Sequence, residues 1–245
     1  MLQKRVNLFG VRVNDICMNK AVALARSSLI SGKQRSFFTP NLEMISAARR
    51  DGEVRKMLNS SSVNLPDGIG IKIISYLLGT PLENTLAGID FGERLMKEAS
   101  KRSLRVFLLG GIYGVADKAG ENLAKKYGGL QICGTHQGYF SPYEEEAVCE
   151  KINATEADVL VVCRGFPRQE QFVYENAKNL PSVKVFACLG GSLDVWSGNK
   201  KRAPEFFRDA HCEWLWRICI EPWRAKKFVE SLDALPEAFW RALKI

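Results

Sequence analysis

Leu104-Arg105-Val106-Phe107-Leu108-Leu109-Gly110-Gly111-Ile112-Tyr113-Gly114 decides the fold. Its first six residues form an apolar run broken only by Arg105, as expected of a strand buried on both faces. The glycines then turn the chain into a helix running to about Tyr127. Two runs of the same texture lie downstream, Ala157-Asp158-Val159-Leu160-Val161-Val162-Cys163 and Val183-Lys184-Val185-Phe186-Ala187-Cys188. A helix starting at Ser141-Pro142 precedes the first of them, with Glu144, Glu145 and Glu146 in its opening turn, where the helix dipole favours acids. Strands alternating with helices call for a mostly parallel sheet covered on both faces.

Upstream, Val6-Asn7-Leu8-Phe9-Gly10-Val11-Arg12-Val13 alternates around a glycine, which predicts a hairpin or edge strand opening the sheet. Asn14-Asp15 is the expected N-cap of a helix running to about Leu29. Ser36-Phe37-Phe38-Thr39-Pro40 reads as a short buried strand stopped by proline, and Asn41 as the cap of the helix carrying Leu42, Ile45 and Ala48. Thr39 and Asn41 then lie at the carboxyl end of a strand, where ligands bind in open α/β sheets; capping alone also accounts for them. Helices are expected at Val54 to Asn59, at Ile69 to Leu78, and from Ala87-Gly88-Ile89-Asp90-Phe91 to about Arg102.

Within this stretch, Asn64-Leu65-Pro66-Asp67-Gly68-Ile69-Gly70 sets one carboxylate in a tight turn. Pro66 fixes its own φ and Gly68 tolerates positive φ, so the Asp67 side chain can be aimed at a cleft. Pro-Asp-Gly is also ordinary turn chemistry. At the end of the central strand, the backbone N–H groups of Gly110 and Gly111, with a helix dipole behind them, suit a phosphate or diphosphate; close helix–strand packing is the alternative. Two further loops, Arg164-Gly165-Phe166-Pro167-Arg168-Gln169-Glu170-Gln171 and Gly190-Gly191-Ser192-Leu193-Asp194-Val195-Trp196, follow strand carboxyl ends and are expected on the same rim.

Composition narrows the partners. The chain of 245 residues is 46% hydrophobic and 25% charged, enough for one large domain or one domain with an appendage. No apolar run approaches the roughly 20 residues that span a bilayer, and the reading expects neither a signal peptide nor a transmembrane helix. Seven scattered cysteines without a Cys-x-x-Cys pair read as reduced core residues of a cytosolic protein, and no metal site is expected. The net charge of +8 calls for an anionic partner: nucleic acid, an acidic membrane surface or a phosphorylated substrate.

The texture changes after about Ser197, so residues 1–197 are expected to form the core and residues 198–245 a helical appendage. There Trp214, Leu215, Trp216, Ile218, Trp223, Phe228 and Val229 interleave with Arg208, Arg217, Arg224, Lys226 and Lys227. Tryptophan alternating with arginine fits a membrane interface, and aromatic packing on the core is the alternative. Glu205, Asp209, Glu213 and Glu221 dilute the positive face, so any membrane grip is weak and reversible.

Thr39-Pro40-Asn41, Pro66-Asp67-Gly68, Ala87-Gly88-Ile89-Asp90, Gly134-Thr135-His136-Gln137-Gly138-Tyr139-Phe140, Gly165-Phe166-Pro167-Arg168-Gln169-Glu170, Gly190-Gly191-Ser192-Leu193-Asp194-Val195, Lys201-Arg202-Ala203-Pro204 and Glu213-Trp214-Leu215 occur in that order. Together they resemble the WecG/TagA/CpsF glycosyltransferases of bacterial surface-polysaccharide synthesis, from about Asn7 to Lys227. The fold class expected is α/β, a Rossmann-like, mostly parallel sheet with helices on both faces and a basic helical C-terminal appendage. The resemblance implies an inverting, metal-independent enzyme without a cofactor. It would move a sugar from a UDP-sugar, typically UDP-N-acetylmannosamine or its uronic acid, to the 4-hydroxyl of N-acetylglucosamine on undecaprenyl diphosphate. Teichoic acid linkage-unit synthesis is the implied setting, with capsule or exopolysaccharide synthesis as the alternative. The chain would work at the cytoplasmic face of the plasma membrane, as a monomer or homodimer.

The absence of an Asp-x-Asp motif agrees with this, since the leaving diphosphate then needs cationic side chains and backbone donors. On the resemblance Asp67 is the general base, Thr39, Asn41 and Gln169 orient sugar hydroxyls, and Tyr139 and Asp194 contact the uridine. Gly110, Gly111 and Arg202 join the substrate-binding set, and Arg217, Arg224 and Lys227 close over the nucleotide, Lys227 standing where arginine is usual. Two positions depart from the family pattern: Thr85 replaces an arginine near the active site, and Arg164 replaces an apolar residue. His136 lies in the Gly134–Phe140 loop but ranks below Asp67 as a catalytic group, and His211 reads as structural.

Other classes compete. The glycine turn suggests a nicotinamide oxidoreductase, but it departs from Gly-x-Gly-x-x-Gly, and Gln131-Ile132-Cys133-Gly134-Thr135 ends without a ribose-binding acid. The basic, tryptophan-rich tail suggests a nucleic-acid-binding protein, whose binding would fall steeply with salt. A binding-only scaffold is the third.

Overall fold

The computed structural model describes residues 4–209 and 213–243, so His211 and Cys212 lie outside the described residues. In chain order the elements are β1 (Arg5–Leu8), β2 (Val11–Asn14), α1 (Met18–Ser31), β3 (Arg35–Phe38), α2 (Leu42–Arg50), α3 (Gly52–Ser60), β4 (Val63–Asn64), α4 (Ile69–Leu77), α5 (Gly88–Ser100), β5 (Arg105–Gly110), α6 (Val115–Lys126), β6 (Gln131–His136), α7 (Glu145–Ala154), β7 (Val159–Cys163), α8 (Arg168–Asn176), β8 (Val185–Cys188), α9 (Ser192–Trp196), α10 (Glu205–Asp209), α11 (Glu213–Ile220), α12 (Arg224–Ser231) and α13 (Ala234–Leu243). They fall into two compact units: Met1–Cys17, Thr39–Ala87 and Arg202–Ile245 in the first, Met18–Phe38 and Gly88–Lys201 in the second.

The second unit is the α/β body that the apolar runs predict. Its five strands lie in the order β3-β8-β7-β5-β6, every neighbouring pair parallel. Val106 to Leu109 and Val159 to Val162 are fully buried, which is why these strands read as continuous apolar runs rather than alternating ones. Helix α5 buries Phe91, Leu95 and Met96, with the Phe91 ring 5.0 Å from that of Phe37 on β3.

The first unit is assembled from shorter pieces. β1 and β2 pair antiparallel as their own two-stranded sheet, with Val6 facing Val13 and Leu8 facing Val11. The expectation that this hairpin opens the main sheet is therefore corrected. So is the expected cap at Asn14-Asp15: α1 starts at Met18, and both residues are used over long range. The Asn14 side chain accepts the Asn64 N–H at 2.9 Å, while Asn64 Nδ2 donates to the Arg12 and Leu58 carbonyls, both at 2.9 Å. Asp15 accepts from the Asn84 backbone at 3.1 Å and the Asn84 side chain at 3.0 Å. Burial pushes the Asp15 carboxyl up, but the Asn84 and Glu83 donors and nearby Lys4 hold it below its ordinary value.

Helix α13 is clamped onto α2 by ion pairs. Arg49 reaches Glu237 at 2.5 Å and Asp233 at 2.9 Å, Arg50 reaches Asp233 at 2.7 Å, and Ser46 donates to the same aspartate. No helix among the described residues is long and apolar enough to cross a membrane.

Candidate active site

The first unit holds the Asp67 turn between two other stretches of its own chain. The Asp67 N–H donates to the Pro40 carbonyl at 3.0 Å, and the Leu86 N–H donates to the Pro66 carbonyl at 2.7 Å. The Pro66-Asp67-Gly68 turn is thus held from one side by Thr39-Pro40-Asn41 and from the other by Thr85-Leu86. Gly68, at φ +80°, supplies the turn geometry that puts the half-buried Asp67 between them. Thr39 is buried, and Asn41 caps α2, its side-chain oxygen accepting the Met44 N–H at 3.1 Å. That spends the Asn41 acceptor on the helix and leaves its amide NH₂ as the group suited to a ligand.

The same neighbourhood receives a cation from helix α12. Lys227 Nζ stands 3.4 Å from Glu43, in the first turn of α2 and two residues after Asn41. Arg217, by contrast, pairs within α11 with Glu213 at 2.6 Å, while Arg224 opens α12 and Arg202 precedes α10.

In the second unit the strand-end loops meet at the point where the strand order reverses. From β5 the chain steps outward to β6 and then returns past β5 to β7, so the crevice beyond β5 and β7 is the topological switch point, the usual ligand position in such sheets. Gly110 pairs with Cys163 there. At φ +149°, with any Cβ only 2.3 Å from the Cys163 carbonyl oxygen, Gly110 accommodates no side chain. The Gly111 N–H donates to that carbonyl at 3.2 Å, and the Gly111 carbonyl accepts from Gly138 at 2.7 Å. The Gly111 amide is therefore spent on packing, while Ile112 and Tyr113 of the same turn stand exposed.

Arg164 organises the neighbouring loop. Its side chain is only 8% exposed, donates to the Gly138 carbonyl at 2.8 Å and the Phe140 carbonyl at 3.5 Å, and stacks 3.7 Å from the Phe140 ring centroid. Glu145 lies 3.8 Å away. Burial pushes the guanidinium pKa down and Glu145 opposes it; a guanidinium nonetheless stays charged at neutral pH. The two carbonyls that Arg164 holds flank Tyr139, which projects 62% exposed. His136, at the end of β6, bonds the adjacent Gln137 carbonyl through Nδ1 at 2.8 Å and meets Phe140 edge-on.

Gln169 lies 3% exposed. Its amide oxygen accepts from Gly190 at 3.0 Å and its amide nitrogen donates to Glu170 at 2.7 Å, so it braces the β8–α9 loop against α8. Asp194 in α9 is 3.6 Å from Lys200, whose own N–H donates to the Asp194 carbonyl at 2.9 Å. Cys163 and Cys188 are fully buried, and burial pushes the Cys163 thiol up to about 12, far from a reactive thiolate.

The sequence singled out Arg164 only as a departure from pattern and missed its task, because that task depends on Phe140 and Glu145 some twenty residues away. Lys227 was named from the sequence, but neither its pairing with Glu43 nor the burial of the Glu170 carboxyl was. Only the capping position of Glu43, in the first turn of α2, hinted at either.

Comparison with known proteins agrees with the arrangement of motifs. Residues 6–245 match the model of the Glycosyl transferase WecG/TagA/CpsF family. An N-acetylglucosaminyldiphosphoundecaprenol N-acetyl-beta-D-mannosaminyltransferase of Bacillus spizizenii is 34% identical over 84% of this chain and 79% of its own length. The protein of the same name from Bacillus subtilis is 35% identical over 78% of this chain and 73% of its own length. That from Staphylococcus aureus strain MRSA252 is 29% identical over 98% and 92%. With its family-wide match and its motifs placed around one carboxylate turn and one sheet switch point, the chain belongs to the WecG/TagA/CpsF family of glycosyltransferases.

Proposed function

We propose that this glycosyltransferase moves N-acetylmannosamine, or a related sugar, from a UDP-sugar to the 4-hydroxyl of N-acetylglucosamine carried on undecaprenyl diphosphate. The setting is teichoic acid linkage-unit synthesis, at the cytoplasmic face of the plasma membrane. The names of the relatives support the acceptor and the sugar. One observation carries the mechanism: the turn that presents Asp67 is held by two backbone hydrogen bonds, from the Asp67 N–H to the Pro40 carbonyl on one side and from the Leu86 N–H to the Pro66 carbonyl on the other.

In this reading the Asp67 carboxylate takes the proton of the acceptor hydroxyl as its oxygen attacks the anomeric carbon of the donor. The new C–O bond forms as the bond to the diphosphate breaks, and the configuration inverts. Thr39 and the Asn41 amide orient the sugar hydroxyls, and a fixed orientation is itself a large part of the rate. UDP leaves with its charge balanced by Arg202, Arg217, Arg224 and Lys227, without a metal ion. Tyr139 and Asp194 contact the uridine. Arg164 is a positioning residue that sets Tyr139 by holding the carbonyls on either side of it. The Gly110-Gly111 turn contributes close packing and, at Ile112 to Gly114, the donors for the diphosphate. Gln169 acts chiefly by bracing the Gly190 loop. Residues 198–245 act as the appendage that closes over the nucleotide and meets the membrane, whether the chain is a monomer or a homodimer.

The test is full-length protein with lipid-linked N-acetylglucosamine and a panel of UDP-sugars, with UDP release as the readout. UDP-N-acetylmannosamine is expected to give the fastest release, dependent on the acceptor. Release that ignores the acceptor, or none with any UDP-sugar, contradicts the reading.

A further inference from the structure

A cavity of about 630 Å³ opens within the first unit, and its walls do not include the Asp67 turn. Four of its lining residues are arginines: Arg49, Arg50, Arg55 and Arg241. Two acids hold part of this charge. Arg49 and Arg50 pair with Asp233, and Arg49 and Arg241 with Glu237, which fastens α13 to α2. Four guanidiniums against two carboxylates leave two positive charges in excess around one cavity. Among the described residues Arg55 meets no acid, and its guanidinium reaches only the Ala48 carbonyl, at 3.4 Å. The Nε of Arg49 is buried with no acceptor among them. A buried donor without an acceptor is costly, so the fastening of α13 does not account for the whole cluster.

The wall made by the hairpin is preset. Phe9 and Gly10 form the two-residue tip between the paired Leu8 and Val11, both at positive φ, +48° and +87°. Asparagine, aspartate or glycine is usual at such a tip, and a bulky aromatic there is an outlier. Two asparagines hold it: the Asn7 side chain accepts the Gly10 N–H at 2.7 Å, and Asn59 donates to the Gly10 carbonyl at 2.8 Å. Phe9 is thereby buried on the cavity wall, with the Arg241 guanidinium 5.0 Å from its ring. Gly10 leaves room for Arg55, since a Cβ there would lie 2.6 Å from the Arg55 Cδ. The tip therefore seats one arginine from α3 and one from α13, while α2 carries the other two. Leu78, just beyond α4, adds an apolar edge.

We propose that this cavity binds the phosphate group of a soluble phosphate monoester. Guanidinium forks match phosphate oxygens, and a phosphate monoester carries about −1.5 to −2 charges at neutral pH, which answers the excess of two. Small-molecule pockets run to about 300–1,000 Å³, so the cavity has room for an organic body beside the phosphate, with Phe9 and Leu78 as its apolar surface. One dianion there meets arginines from α2, α3 and α13 together, and so tightens the same junction that Asp233 and Glu237 hold. The inference goes beyond the transfer reading and uses neither Asp67 nor the nucleotide loops.

The experiment is calorimetric titration of the full-length protein with glucose 1-phosphate, inorganic phosphate and succinate at constant ionic strength. Saturating UDP is present throughout to fill the nucleotide site, and the dependence on Arg55 isolates the cavity even if UDP does not bind. Wild type, Arg55→Gln and Arg55→Lys are compared, with thermal melting to confirm folding. Glucose 1-phosphate is expected to bind wild type saturably, about tenfold more tightly than inorganic phosphate or succinate. Arg55→Gln should weaken that binding about tenfold, and Arg55→Lys, which keeps the charge without the fork, by less. In wild type the bound monoester should also slow hydrogen exchange along α13. No saturable binding of either phosphate, or equal binding by wild type and Arg55→Gln, overturns the proposal. Inorganic phosphate binding as tightly as the monoester overturns it in favour of a free-ion site, and succinate binding as tightly overturns it in favour of a site for any dianion. Arg55→Gln breaks no ion pair among the described residues; should it not fold, the exchange measurement on wild type carries the test, and unchanged α13 exchange at saturating glucose 1-phosphate overturns the proposal.

Discussion

The two units hold their candidate site residues in contrasting ways. In the second, Gly110, Tyr139, Gln169 and Asp194 lie at or beyond the ends of parallel strands, and their positions follow from strand register and tight backbone packing. In the first, Thr39, Asn41, Asp67 and Thr85 sit on short pieces of chain joined by individual hydrogen bonds, and the C-terminal helices are fastened by ion pairs. A sheet-built site tolerates little change of shape, whereas a stitched site tolerates shape changes and fails when particular polar groups are lost.

Two glycine substitutions sharpen that contrast most strongly. Gly110→Ala puts a methyl 2.3 Å from the Cys163 oxygen and should cost about 3 kcal/mol or more, through strain and displaced backbone. Gly68→Ala meets nothing within 4 Å and pays only for its φ of +80°, about 1 kcal/mol. Denaturant unfolding of both variants checks this; equal losses would erase the distinction between the units.

Arg164 is the exception within the second unit, a polar stitch in a sheet-built site. Arg164→Leu leaves the Gly138 and Phe140 carbonyls without their donor and removes a desolvated cation–π contact worth about 2 kcal/mol. We expect KM for the UDP-sugar to rise about tenfold, each factor of ten being about 1.4 kcal/mol, with kcat nearly unchanged. Arg164→Lys, which keeps the charge but not the paired donors, should recover part of the loss. An unchanged KM in Arg164→Leu would remove the residue from the positioning role.

The smallest effect is on acid stability. Hydrogen bonds from Arg49 hold the Glu237 carboxyl below its ordinary value; burial pushes Asp233 up, but Ser46, Arg49 and Arg50 outweigh it and hold Asp233 below its own. Depressed carboxylates stabilise the fold above their unfolded-state pKa, and the contribution is lost as pH falls through the lower folded value. The α2–α13 clamp should therefore loosen below about pH 4, before the sheet gives way. Hydrogen exchange at about pH 3 is expected to deprotect α13 amides ahead of those of β5. Simultaneous loss would show that α13 is not held by these acids.

How much of this was legible in the sequence follows the same division. The α/β body was readable from runs such as Val106 to Leu109 and Val159 to Val162, because a strand buried on both faces has to be apolar throughout. The Asp67 turn was readable because Pro66 and Gly68 announce it locally. The hairpin's separate sheet, the use of Asn14 and Asp15 as long-range braces, and the commitment of the Gly111 amide to Cys163 were not readable, since each is decided by a partner far along the chain. The motif that singles out Gln169 points to a sugar hydroxyl, whereas its burial between Glu170 and Gly190 gives it a bracing task that no local pattern encodes.

The central claim is that Asp67 takes the acceptor proton. The direct measurement is single-turnover UDP release by wild type and Asp67→Asn with saturating UDP-N-acetylmannosamine and lipid-linked N-acetylglucosamine, alongside titration of UDP binding to each. Asparagine keeps the shape and removes the basicity. The rate should fall by about 10²–10⁴ while UDP affinity is retained. Turnover of Asp67→Asn close to that of wild type would contradict the account.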